Sequence, residues 1–256
     1  MRVAHAGMAY VLGLMLLVMA NYSLANDKIE IVSSEGSVML GDAQGKSKKQ
    51  VQAKSVLQPG KILTTGPEAR AVVRVGSDGY IVLGNNSQVE IGKSKKETGF
   101  FKQLTGIVYY AINSIKGNRR PVEVRTATAT IGIRGTRFLV TDVEGRNEVG
   151  MRKGLVSVTS PEGEFEIHKQ AVLDEFEAYK KAGEEAIAKS EREFEEYKAA
   201  TQQEFIEYKR EFSLGADRMA SFDGKRVEDR PLSGETQKDM ESIESYAEQW
   251  IKEVRD

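Results

Sequence analysis

The chain contains no cysteine. That absence removes disulfides, thiolate zinc sites and a cysteine nucleophile together, and with them the lipidated cysteine of a bacterial lipoprotein. Histidine is nearly as scarce: of two, only His168 lies beyond the first 25 residues. One histidine is too few for a histidine metal centre or a histidine-dependent triad. Neither charge is in excess, 37 basic residues against 38 acidic, so the basic footprint of a nucleic-acid binder is missing. The apolar run Met8 to Ala20 is 13 residues long, short of the roughly 20 that cross a bilayer as a helix. With Arg2 ahead of it and Ser23-Leu24-Ala25 behind, it reads as an export signal cleaved after Ala25. The expectation is a periplasmic or otherwise exported chain starting at Asn26, with no membrane span after cleavage. Without disulfides its core must carry the stability, which is feasible at this length.

From residue 26 to 167 short runs alternate apolar and polar residues, as in DKIEIVSSEGSVML, KILTTGPEARAVVRVGSDGYIVLG, GIVYYAI and GLVSVTS. Period two over many short segments predicts an antiparallel sandwich or roll. Turn residues agree, with Ser77-Asp78-Gly79, Glu144-Gly145 and Pro161-Glu162-Gly163 each between such runs. The glycine clusters Gly76 to Gly79 and Gly84 to Asn86 fall between strands rather than at strand-to-helix junctions, so they are not phosphate loops. No two acidic residues stand out as an acid and base pair, and His168 reads as an exposed helix-start residue. These residues give no catalytic, metal or cofactor site, and the chain reads as a non-enzyme.

Residues 168–213 change composition to charged and helix-forming. The motif EF-x-x-YK occurs as EFEAYK (175–180), EFEEYK (193–198) and EFIEYK (204–209). The steps of 18 and 11 residues between them are close to whole turns of an α-helix. A long amphipathic helix is therefore expected, with Phe176, Tyr179, Phe194, Tyr197, Phe205, Tyr208 and Phe212 on one face. That face needs a partner: the β domain itself, a fold-back at Gly183, a second copy, or another envelope protein. Residues 214–230 read as a hairpin about Asp223-Gly224, returning to the β domain. Residues 231–256 read as a C-terminal amphipathic helix burying Met240, Ile243, Ala247, Trp250, Ile251 and Val254, with Thr236 and Asp239 as a weak capping box. Residues 26–167 carry 21 basic and 15 acidic groups, a net of +6, whereas 168–256 carry 15 and 23, a net of −8, so the two parts attract.

The stretch VRTATATIGIRGTRFLV, from Val124 to Val140, resembles the signature of the FecR domain family. The matching positions are Val124-Arg125-Thr126, then Gly132, Ile133-Arg134-Gly135-Thr136 and Phe138, with Ala127 where proline is usual. LQPGKILTTGPEARAVVRVGSDGYIVLG resembles the family's earlier block, MRKGLVSVTSPEG the following one and GADRMASFDGKRV its closing strands, so the likeness runs from about Ile29 to Pro161. The resemblance implies a mainly β FecR-like domain, a long helical insertion before the last hairpin, and a non-catalytic signalling or adaptor role through protein binding. Gly132, Arg134, Gly135, Thr136 and Phe138 are expected to be structural, with Arg134 as a clamp if its guanidinium is buried. Family regulators carry a cytoplasmic anti-sigma segment and a membrane span ahead of this domain. This chain opens on its export signal, so direct sigma-factor contact is not expected. Two alternatives remain: a cell-wall or carbohydrate-binding module using Phe100-Phe101 and Tyr109-Tyr110, and self-assembly through the aromatic stripe.

Overall fold

A computed structural model of the chain describes residues 28–43, 48–77, 79–92, 100–113, 122–170 and 205–252. The first strands are β1 (Ile29–Glu35), β2 (Val38–Asp42), β3 (Lys49–Gln50), β4 (Lys61–Thr65), β5 (Arg70–Val75), β6 (Gly79–Leu83) and β7 (Gln88–Ile91). A long strand β8 (Phe100–Ile112) follows, then β9 (Val122–Arg125), β10 (Thr130–Ile133), β11 (Thr136–Val143), β12 (Arg146–Lys153), β13 (Leu155–Thr159) and β14 (Phe165–Lys169). The described residues end with β15 (Phe205–Lys209), β16 (Glu211–Gly215), β17 (Arg218–Asp223), β18 (Arg226–Pro231) and the helix α1 (Gly234–Lys252).

These strands make two layers that share β8. In the first sheet the order is β1-β5-β6-β8-β11-β12-β17-β18-β14-β15. In the second it is β3-β2-β4-β7-β8-β9-β10-β13-β16. Pairing is antiparallel except at β8–β9 and β14–β18. The N-terminal half of β8 pairs with β7 and its C-terminal half, from Gly106 on, with β6 and β11. A strand can change sheets only by bending sharply, and Gly106 supplies the bend at φ +99°. A Cβ there would lie 2.4 Å from Ser87 Cα, so no larger residue fits. The bend is held from inside by buried Gln103, whose Nε2 donates to the carbonyls of Gly106 (2.9 Å) and Val140 (3.1 Å). Its Oε1 accepts from Tyr110 Oη at 3.1 Å, so this polar group inside the core is satisfied.

The main core lies between the layers, where Ile31, Leu63, Val73, Ile81, Val108, Tyr110, Ile131, Phe138, Val158 and Phe165 are buried. A second apolar cluster covers the other face of the first sheet, where Val72, Tyr80, Val82, Tyr109, Ala111 and Leu139 meet Met240 and Ala247 of α1. The centre of the first sheet is thus buried on both faces, which is why β5 and β6 read as near-continuous apolar runs. Ser233 precedes the helix, and its Oγ accepts from Thr236 N at 3.1 Å. Ser233 therefore takes the capping role that the sequence pattern gave to Thr236.

The long amphipathic helix expected over 168–213 is overturned over the described residues of that span, 168–170 and 205–213. Phe205–Lys209 is a strand pairing with β14, and Glu211–Gly215 is a strand pairing with β13. The helical turn count of EFIEYK is overridden because aromatic and β-branched residues at alternating positions find a ready sheet edge. His168 is also corrected: it lies within β14 with 5% of its side chain exposed, Nε2 2.8 Å from Glu166 Oε1. Phe176, Tyr179, Phe194, Tyr197 and the export signal lie outside the described residues.

Candidate functional site

The IRGT motif sits where the chain passes from the second sheet to the first. Gly132 is inside β10, and a Cβ there would meet Ser157 only at an ordinary 3.8 Å. Gly135 differs, with φ +68° at the crossing itself. Directly beneath, Gly154 makes the return crossing from β12 to β13, and a Cβ on it would lie 2.7 Å from the Gly135 carbonyl oxygen. Two crossings therefore stack backbone on backbone, a contact that side chains would prevent. Thr136 is buried, with no hydrogen-bond partner for Oγ1 among the described residues. Phe138 stacks on Tyr110 with ring centroids 5.0 Å apart and planes at 14°. Arg134 is exposed at the corner, so a buried guanidinium clamp is not its role.

The aromatic candidates divide in the same plain way. Phe101, Tyr109 and Tyr110 are buried, so they offer no glycan platform. Phe212 is buried and meets Phe165 edge-on at 5.7 Å, which makes it a core residue. Tyr208, by contrast, is 64% exposed on β15 beside Ile206 at 48%. The structure does not bring Phe212 and Tyr208 to one face.

β15 is an outer strand, with β14 as its strand neighbour among the described residues. β14 lies in Glu164-Phe165-Glu166-Ile167-His168-Lys169, a fourth copy of the repeat with histidine in place of tyrosine. The two copies pair antiparallel with Phe165 opposite Lys209 and Lys169 opposite Phe205. The motif thus pairs with itself, phenylalanine position against lysine position in the register. Glu207 sits in the middle, 3.1 Å from Lys169 Nζ and 2.7 Å from Lys209 Nζ. Hydrogen bonds from Lys209 and Lys169 hold its carboxyl below the usual carboxylate range.

A second constellation, which the sequence pattern did not single out, fixes α1 to the first sheet. Glu244 accepts from Tyr109 Oη, from Arg137 Nη1 at 3.2 Å and from Arg152 Nε at 3.2 Å. Arg152 also reaches Glu241 at 3.1 Å, and Arg70 lies over the Tyr246 ring, 4.5 Å from its centroid. Burial alone would push the Glu244 carboxyl up, but donation by Tyr109, Arg137 and Arg152 outweighs it and leaves the group below its ordinary value. Burial next to this carboxylate raises the Tyr109 phenol strongly, and burial raises Tyr80 to about 12. One signal was present in the sequence. Glu244 is four residues after Met240 and three before Ala247, which places a carboxylate on the buried face of the helix.

No curated protein matches the sequence. Two solved structures of a candidate anti-sigma factor from Parabacteroides distasonis are similar, each with 12% identity and a TM-score of 0.43. Each match covers 68% of this chain and 61% of that chain, so the likeness leaves part of both outside it. The family model described as FecR protein matches residues 61–157, from the start of β4 to the middle of β13. That matched span contains the β8 sheet crossing and the stacked Gly135–Gly154 corner.

Proposed function

We propose that this chain is an exported, non-catalytic FecR-type module that acts in envelope signalling by binding another protein. The FecR match over residues 61–157 carries this reading. The chemistry of the described surface is consistent with it, because the polar clusters at Glu244 and Glu207 are ion pairs that hold elements together. Binding would then fall to the loops of the matched span.

The test is crosslinking in cells with a photoreactive residue placed in turn at the exposed positions Glu68, Asn85 and Glu144, followed by mass spectrometry. A reproducible adduct with one envelope protein is the expected result. Recovery of uncrosslinked chain from every position would overturn the adaptor reading.

A further inference from the structure

We propose that the outer edge of β15 is a docking site for the same strand of a second copy of this chain, paired antiparallel about a two-fold axis through Glu207. The inference goes beyond the adaptor reading and does not depend on it. An outer strand presents backbone N–H and C=O groups to any complementary strand, and among the described residues β15 has a partner on one side only. The complementary sequence is already known, because β15 pairs with another copy of its own motif in β14. Carrying that register across the outer edge puts Phe205 opposite Lys209 of the partner subunit and Ile206 opposite Tyr208 of the partner subunit, each pairing occurring twice.

The outward face gains most from this. Ile206 and Tyr208 are 48% and 64% exposed, and both are covered when each faces the other across the axis. Aromatic with β-branched pairs are among the favourable cross-strand contacts. The inward face brings the two Glu207 carboxylates together on the axis, which would oppose pairing if they stood alone. They do not, because each already lies between Lys169 and Lys209. Two carboxylates among four ammonium groups are compensated. Two five-residue strands bury less than the roughly 1,000 Å² of a stable specific interface, so the association is concentration-dependent.

The chain's lack of cysteine makes the test clean. Glu207→Cys places one thiol on the axis, where cross-strand Cβ atoms about 4.5–5.5 Å apart come close to the separation that a disulfide spans. On oxidation of the full chain at high concentration, Glu207→Cys is expected to give a covalent dimer. Glu144→Cys, in the exposed turn between β11 and β12, is expected to stay monomeric. Sedimentation of the cysteine-free chain should show a dimer that Tyr208→Lys abolishes while melting is unchanged, since Tyr208 is exposed. A monomer at every concentration would overturn the proposal, as would a dimer indifferent to Tyr208→Lys. An intramolecular disulfide in a monomeric Glu196→Cys/Glu207→Cys chain would also overturn it, assigning the edge to this chain's own repeat at 193–198. Capture of a different envelope protein tests the adaptor reading separately.

Discussion

Two segments of this chain read alike as amphipathic helices, and among the described residues one is helix where the other is strand. Residues 234–252 are the helix: Met240 and Ala247 land on an apolar sheet face and Glu244 meets a tyrosine and two arginines placed to receive it. Residues 205–209 are the strand, because β14 offers them a strand of the same motif. Local periodicity states which side chains can share a face under a given geometry. Which geometry is adopted depends on the surface available, and a waiting sheet edge can prevail over modest helical preference.

The widest contrast between the segments lies within one stripe. Phe212→Ala, in the strand after β15, removes a buried ring packed on Phe165 and should cost about 3–5 kcal/mol in urea unfolding. Tyr208→Ala, four residues earlier on an exposed face, should stay within about 0.5 kcal/mol. Equal losses at the two positions would mean that the stripe is one face after all.

The helical side of the comparison breaks at Glu244. Glu244→Ala leaves two guanidinium groups and a buried phenol short of their acceptor and should cost about 1–3 kcal/mol. Loss of helical signal by circular dichroism should accompany it while the strand signal persists. The pH dependence has a definite sign. The Glu244 carboxyl is depressed in the folded state, so its contribution is complete above the unfolded carboxylate value near 4.3 and is lost as pH falls through the folded value. The wild type should therefore lose more stability between pH 5 and the acid limit than Glu244→Gln does, as read from melting temperatures. Parallel acid profiles would remove Glu244 from this role.

Smaller effects sharpen the picture at the Gly135 corner. Gly135→Ala forces a side chain into the left-handed region at φ +68° and should destabilise by about 1–2 kcal/mol. Arg134→Ala, at an exposed guanidinium, should change stability by no more than about 0.5 kcal/mol. A large loss from Arg134→Ala, measured by the same unfolding, would restore a clamp role for that residue.

Much of the β architecture was legible because half-buried strands write their burial into period two, and because turn residues mark where each strand ends. The motif around Arg134 stood out for a related reason: Gly135 at the sheet crossing has φ +68°, where a side chain is strained. What the sequence concealed were relations between distant segments. EFEIHK and EFIEYK become partners only once the sheet brings residues 165–169 and 205–209 together, and the histidine that hides the fourth copy is buried rather than at a helix start. Glu244 was hidden in the same way, since Tyr109, Arg137 and Arg152 lie on three different strands.

The most direct test of the central claim, that EFIEYK is a strand paired with its own motif, uses Glu166→Cys/Tyr208→Cys in the cysteine-free chain. These residues are opposite each other across β14 and β15. The account predicts an intramolecular disulfide that forms readily under mild oxidation and leaves the fold intact, whereas Glu166→Cys/Glu207→Cys, with side chains on opposite faces, forms none. Failure of the first pair to close, in a chain that remains folded, would contradict the strand pairing and with it the reading of this edge.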